Sequence, residues 1–219
     1  MGGSEDRVES DKAVIARPIL FSGPMVRALL EGRKTQTRRV AKLTAGAHVK
    51  EVGGHRRWHP GDPDAVQACP YGGPGTALWV RESHAVLRAG DLDGSGRDIR
   101  YRADDPDAPV TWCPSIHMPR WASRITLEVE SVRIERLHAI TEEDAVAEGV
   151  EREDLPSDPD NFHPPGSFGY VTGSVPFPEG HIYPTAREAF AALWDTINGK
   201  RAPWSANPWV WALALKVVP

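Results

Sequence analysis

Only two cysteines, Cys69 and Cys113, occur in the 219 residues, and both precede proline. They are too few and too far apart for a disulfide framework, so reduced thiols and a cytoplasmic setting are expected. No apolar run approaches the roughly 18 residues of a membrane-spanning helix, and the polar opening "MGGSEDRVESDK" lacks the apolar core of a signal peptide. Positive charge is not in excess either. Lys and Arg number 26 against 30 Asp and Glu, giving a net charge of −4 and a pI near 6.1. That balance argues against bulk electrostatic binding to long nucleic acid, which asks for a strongly basic domain. It leaves room for a local basic site. His55-x3-His59 with Cys69, and Cys113-x3-His117, match no recognised zinc spacing. No metal and no other cofactor is therefore expected.

What the chain does hold is punctuation. Twenty Gly and twenty Pro against a 40% apolar share describe a modest core with long irregular loops. The expected organisation is a polar leader over 1–16, then a single domain over 17–219 with insertions near 41–75, 88–115 and 151–183. A strand near Ile19–Ser22 leads into a helix opened by Ser22 and Pro24 and stopped by Gly32. Val26, Leu29 and Leu30 form its buried stripe. Strands follow over Thr37–Val40 and 76–83, with Leu78 and Val80 on one face and Trp79 and Arg81 on the other. "IRYRAD" is a further short strand, and "GDLDGSGRD" a turn. The alternation in "RITLEVESVRIERL" marks a long strand whose phase slips at Glu130–Ser131, the sign of a bulge. "ITEEDAVAEGV" is a short helix with Thr141 as cap, Asp144 as capping-box acid and Gly149 as stop. An amphipathic helix over 185–199 and an apolar terminal strand over 207–218 close the chain. The order predicts an α+β fold, mostly antiparallel, built on a small β-barrel-like sheet.

One stretch is out of keeping with an acidic chain. From Arg33 to Arg39, "RKTQTRR" holds four cations, two threonines, one amide and no acid. It follows a helix stop, where a solvated cation is favoured by the helix dipole. It also suits phosphate binding, or an active site. Glu148, an acid at the C-terminal end of a helix, sits where the same dipole disfavours it.

A short strand, a helix ending in "GRKT", the following Thr37-x-Arg-Arg, then "LWVRE", a strand leading into "ITEEDAVAEG", and a tryptophan-bearing final strand together resemble the ASCH family. That family belongs to the PUA-like superfamily of small β-barrels, and the longer ASCH proteins of phages and prophages are the most similar in pattern. The resemblance spans 18–40, 76–83, 117–149 and 186–217, a little under half the chain. It implies an amidohydrolase that removes the acyl group from N4-acetylcytidine and related N4-acylated cytosines, or alternatively an RNA-binding module or ribonuclease. It also implies a catalytic trio, matched here by Lys34, Thr37 and Glu148. The three insertions depart from the compact enzymes and would rim the pocket.

The chemistry of such a trio is definable. A threonine hydroxyl is inert unless a neighbouring base takes its proton. Lys34 can serve as that base if burial and the charges of Arg33, Arg38 and Arg39 favour its neutral form. Glu148 can pass the proton to the departing amine, and a cation from Arg38, Arg39 or Arg81 can meet the oxyanion. Residues i and i+3 of a flat strand face opposite sides, so Lys34 and Thr37 require a turn at Thr35–Gln36. Glu82, His117, Arg120 and Trp121 complete the expected substrate contacts. The expected partner is a small modified cytosine nucleoside or base, with RNA or DNA as the alternative, and no membrane.

Overall fold

In the computed structural model, residues 16–41, 50–52, 55–57, 68–87, 98–154, 168–172 and 182–218 are described. Their fold is α+β: a five-stranded, mostly antiparallel sheet, three two-stranded ribbons and three α-helices. The strands are β1 (Arg17–Leu20), β2 (Gln36–Val40), β3 (Lys50–Val52), β4 (His55–Arg57), β5 (Ala77–Arg81), β6 (His84–Leu87), β7 (Asp98–Tyr101), β8 (Thr126–Arg136), β9 (Glu151–Asp154), β10 (Phe168–Val171) and β11 (Trp209–Val218). The helices are α1 (Gly23–Leu30), α2 (Glu142–Ala147) and α3 (Ala186–Asn198). The main sheet runs β1-β5-β8-β11-β2, with β1 parallel to β5 and every other pair antiparallel. Among the described residues β1 and β2 are the two ends of the strand order. The sheet nevertheless curls: Arg39 Nη2 on edge strand β2 donates to the Leu20 carbonyl on edge strand β1 at 2.6 Å.

The long strand β8 shows why period-2 patterning reads so clearly. Leu127, Val129, Val132 and Ile134 are buried while Glu128 and Glu130 are exposed. The bulge falls where the phase slips: Val129 pairs with Leu215 and Ser131 with Ala214, leaving Glu130 without a partner. β11 lies between β8 and β2, which accounts for its apolar sequence. One core cluster lies under the sheet and α1, and a second joins α2, α3 and Val210.

Several expectations are corrected. Leu30 is exposed, and Ala28 joins Val26 and Leu29 on the buried stripe of α1, because eight residues give that helix a narrow face. The short strand expected in "IRYRAD" overlaps β7, which pairs with β6, whereas the segments 41–75 and 151–183, expected as irregular, contain the paired strands β3–β4 and β9–β10. Their turn residues masked the short strands between them. Residues 1–15 of the expected leader, most of "GDLDGSGRD" and His59 lie outside the described residues. Among the described residues no helix is long and apolar enough to cross a membrane.

Candidate functional site

Two helix ends build the site. After α1, Gly32 takes a left-handed φ of 73°, its N–H donates to the Leu29 carbonyl at 3.1 Å, and Arg33 N–H donates to the Ala28 carbonyl at 2.9 Å. This pair of bonds is a Schellman stop. Lys34 N–H reaches the same Ala28 carbonyl, so the chain turns sharply before Lys34. After α2 the motif repeats: Gly149 has φ 99°, its N–H donates to the Val146 carbonyl at 2.8 Å, and Val150 N–H to Ala145 at 3.4 Å. The two ends abut. Thr35 N–H donates to the Ala147 carbonyl at 2.9 Å. A Cβ placed on Gly149 would lie 3.5 Å from the Ala28 Cβ and 3.6 Å from the Lys34 Cβ.

This joint brings Lys34 to Glu148 across 114 residues of sequence. Lys34 Nζ donates to Glu148 Oε2 at 2.8 Å and to the Glu148 carbonyl at 2.7 Å. The Lys34 side chain is fully enclosed and that of Glu148 is 4% exposed. Burial pushes the Lys34 amine below its ordinary pKa of 10.5, the positive charges of Arg39 and Arg38 push the same way, and the attraction of Glu148 only partly offsets them. Glu148 is held from a second direction by Arg38, whose Nη1 donates to Oε1 at 3.2 Å. The same guanidinium donates from Nε to Glu135 Oε1 at 2.9 Å and from Nη2 to Asp144 Oδ2 at 2.6 Å. Burial alone would raise the Asp144 carboxyl, but Arg38 and Arg133 hold it below its ordinary value.

Phe21 closes the other side. Lys34 Nζ lies 5.7 Å from its ring centroid and the Arg39 guanidinium 5.0 Å. Arg39 Nε is buried with no hydrogen-bond partner among the described residues, as is Gln36 Oε1. Thr37 is 3% exposed and pairs with Leu213, which pairs in turn with Val132, so it faces the apolar core. Residues two apart share a strand face, placing Thr37 on the side of Arg39 and opposite Arg38.

The expected turn at Thr35–Gln36 is absent. The Thr35 carbonyl accepts from Leu215 N–H at 2.8 Å, continuing the ladder, and the reversal occurs earlier at Gly32. No hydrogen bond joins Thr37 to Lys34 or Glu148 among the described residues. The structure thus unites Lys34, Glu148, Arg38, Arg39 and Phe21 directly, with Thr37 entering from the core face of β2. Thr141 caps α2, its Oγ1 accepting from the N–H of Asp144 at 3.1 Å. The Asp144 carboxylate goes to Arg38 rather than closing a capping box, because the stronger charge lies there.

The remaining candidates have surroundings of their own. Arg33 is exposed and ion-pairs with Glu31 and Glu151. Arg81 faces outward from β5, over Trp79, and donates to the Ile116 carbonyl. Glu82 is buried against Arg124, accepting at 2.9 and 3.2 Å, and burial pushes its carboxyl up. His117 and Arg120 are exposed, and Trp121 is 55% exposed. Among the described residues, Arg81, Glu82, His117 and Arg120 make no hydrogen bond or ion pair with Lys34, Thr37 or Glu148. The alternation of β5 turns Arg81 away from the core; the sequence pattern contains that orientation, but not which face the site occupies. Phe21 and Glu135 carry no signal in the sequence that marks them for the site. Glu135 is legible only once the register aligns Arg38, Ala212 and Arg133.

No protein-family model matches the chain, and no curated protein or solved structure matches it at a significant level.

Proposed function

We propose that the chain is an ASCH-type amidohydrolase that removes the acyl group from N4-acylated cytosine nucleosides or bases, by a scheme that calls on no metal. The observation that carries this reading is the enclosed Lys34–Glu148 pair, in which burial biases an amine toward its neutral, proton-accepting form. A cation engaged only for solubility or capping has no need of that burial.

The steps follow from the side chains. Lys34 takes the Thr37 hydroxyl proton as Oγ1 bonds to the acyl carbon and the carbonyl electrons move to oxygen. Arg39, with its unpartnered Nε–H, donates to that oxyanion. Collapse of the intermediate breaks the C–N bond, and the N4 nitrogen leaves with a proton delivered through the Lys34–Glu148 pair. Water then cleaves the threonine ester with Lys34 again as base, releasing the acid and restoring Thr37. The hydrogen bond from Thr37 to Lys34 forms with substrate bound, as catalytic contacts commonly tighten in the complex. Arg38 is a poor oxyanion donor because three carboxylates already share it.

The curl that brings Arg39 to Leu20 also supports a PUA-like barrel as the architecture, with the site at the seam between β1 and β2. The competing reading is an RNA or modified-nucleic-acid binding module, or a ribonuclease, using residues 33–39 to grip phosphates. That use is disfavoured there, since Arg33, Lys34 and Arg38 all commit their charge to carboxylates. A cytoplasmic location fits the nucleoside substrate.

The test is acetate release from N4-acetylcytidine, followed by NMR. The wild-type chain should release acetate, and Lys34→Ala, Thr37→Ala and Glu148→Gln should not while keeping their near-UV spectra. An active Lys34→Ala protein would refute the scheme.

A further inference from the structure

The outer face of the sheet beside this site carries a feature that the hydrolysis does not use. β1 runs parallel to β5 with Leu20 opposite Arg81. Leu78 and Val80 fill the core, so Trp79 and Arg81 turn outward. Two guanidinium groups lie over the Trp79 ring, Arg81 at 5.4 Å from the centroid and Arg120 at 5.8 Å. Arg81 also donates to the Ile116 carbonyl, which ties the short 3-10 turn Ser115–His117 to β5. Around these cations, Ile116, Trp121 and Leu20 are exposed to 58%, 55% and 38%. The result is one continuous patch of indole, aliphatic and guanidinium surface.

Its charge is uncompensated. Among the described residues neither Arg81 nor Arg120 ion-pairs with a carboxylate, whereas Arg33, Arg38 and Arg124 do. Arg81 Nε is moreover buried without a hydrogen-bond partner among those residues. In a chain of net charge −4, two neighbouring guanidiniums without a carboxylate, beside exposed indole, favour an anionic, flat-ringed ligand. The patch also adjoins the site across a single strand. Leu20 contributes its side chain to the patch and its carbonyl to Arg39, and the next residue, Phe21, lies beneath Lys34 and Arg39.

We infer that this patch binds a short single-stranded polynucleotide, so that the site acts on an N4-acylcytosine carried within a polymer. This rests on the amidohydrolase reading for the chemistry, but not for the binding. Guanidiniums meet phosphates, and indoles stack on bases without regard to sequence. Two phosphate contacts are few, which reconciles the patch with an acidic chain. For single strands they give a log-log salt slope of about −1.4.

Fluorescence anisotropy with a labelled, unacylated, cytosine-containing heptamer, in RNA and DNA versions, tests the binding without turnover. The full chain should bind at least one version with that slope, and Arg120→Ala/Trp121→Ala should weaken it by about tenfold or more. Turnover is then compared for N4-acetylcytidine free and inside the heptamer. The heptamer's kcat/KM should exceed the nucleoside's by about tenfold, and the double variant should bring that ratio near one. Absence of binding to both heptamers, or binding undiminished in the double variant, overturns the patch even if the nucleoside is hydrolysed. Patch-dependent binding without hydrolysis of either substrate supports the patch and overturns the amidohydrolase instead. The stronger of the RNA and DNA responses identifies the sugar.

Discussion

Lys34 Nζ lies 2.8 Å from Glu148 Oε2 and 2.7 Å from the main-chain oxygen of the same residue. One amine thus satisfies both the carboxylate and the open carbonyl at the end of α2, the position where a helix favours positive charge. The pair is a cap and a candidate acid–base couple at once, and the two roles respond differently to mutation.

Breaking the pair from one side should be costly. Glu148→Ala leaves Lys34 enclosed without its carboxylate, and a loss of about 3–5 kcal/mol is expected from urea denaturation. Replacing both partners by apolar groups, Lys34→Met with Glu148→Leu, should recover most of that loss while acetate release stays abolished. A double variant as unstable as Glu148→Ala would mean that the ion pair stabilises the fold beyond what packing can replace.

The pH dependence has a defined sign. Burial holds the folded Lys34 amine below 10.5, so between its folded value and 10.5 the unfolded chain binds more protons. Stability from this group therefore rises with pH across that window. Wild type should gain stability relative to Lys34→Met between neutral pH and about pH 10. The acid limb of the wild-type kcat/KM profile should titrate below 10.5. A wild-type-minus-variant difference that is flat, or falls with pH, would show that the folded amine is not depressed.

Gly149 tests the joint itself. With φ at 99° a side chain is strained, and an added Cβ would sit in van der Waals contact with Ala28 and Lys34. Gly149→Ala should cost about 1–2 kcal/mol. Because the same residue fixes Glu148, kcat should fall as well, and more than KM changes. Gly32→Ala bears only the backbone strain, since nothing lies within 4 Å of its added Cβ, and should lower stability with less effect on kcat.

In the proposed scheme Arg38 acts through Glu148, which it contacts, rather than on substrate. Arg38→Lys keeps the charge but cannot hold Glu135, Asp144 and Glu148 together. It should lower kcat about tenfold or more and shift the pH profile, whereas Arg133→Lys on the rim of the same network should do neither.

Much of this is legible in the residues. The period-2 run of β8, its slip at Glu130, the helix start at Ser22 and Pro24, the Thr141 cap and the Gly32 and Gly149 stops are local matters, and local sterics and alternation decide them. The contact of Lys34 with Glu148 is not readable from either residue alone and comes from a resemblance in pattern. The partition of the arginines is not legible at all. Arg38 and Arg39 are neighbours of identical chemistry, yet one meets three carboxylates and the other a carbonyl and a phenyl ring. That division depends on which strand lies beside β2, a fact set by pairing across more than 170 residues. The same limit explains why the sequence pattern groups Arg81, Glu82, His117 and Arg120 with the trio although, among the described residues, they share no hydrogen bond or ion pair with it.

The joint between Thr35 N–H and the Ala147 carbonyl has a wider meaning. Two turn-ended helices meet main chain to main chain, and the amine and carboxylate ride on that meeting rather than on the long connections leading to it. Segments elsewhere in the chain can thus lengthen, shorten or change composition while the buried amine and carboxylate keep their spacing.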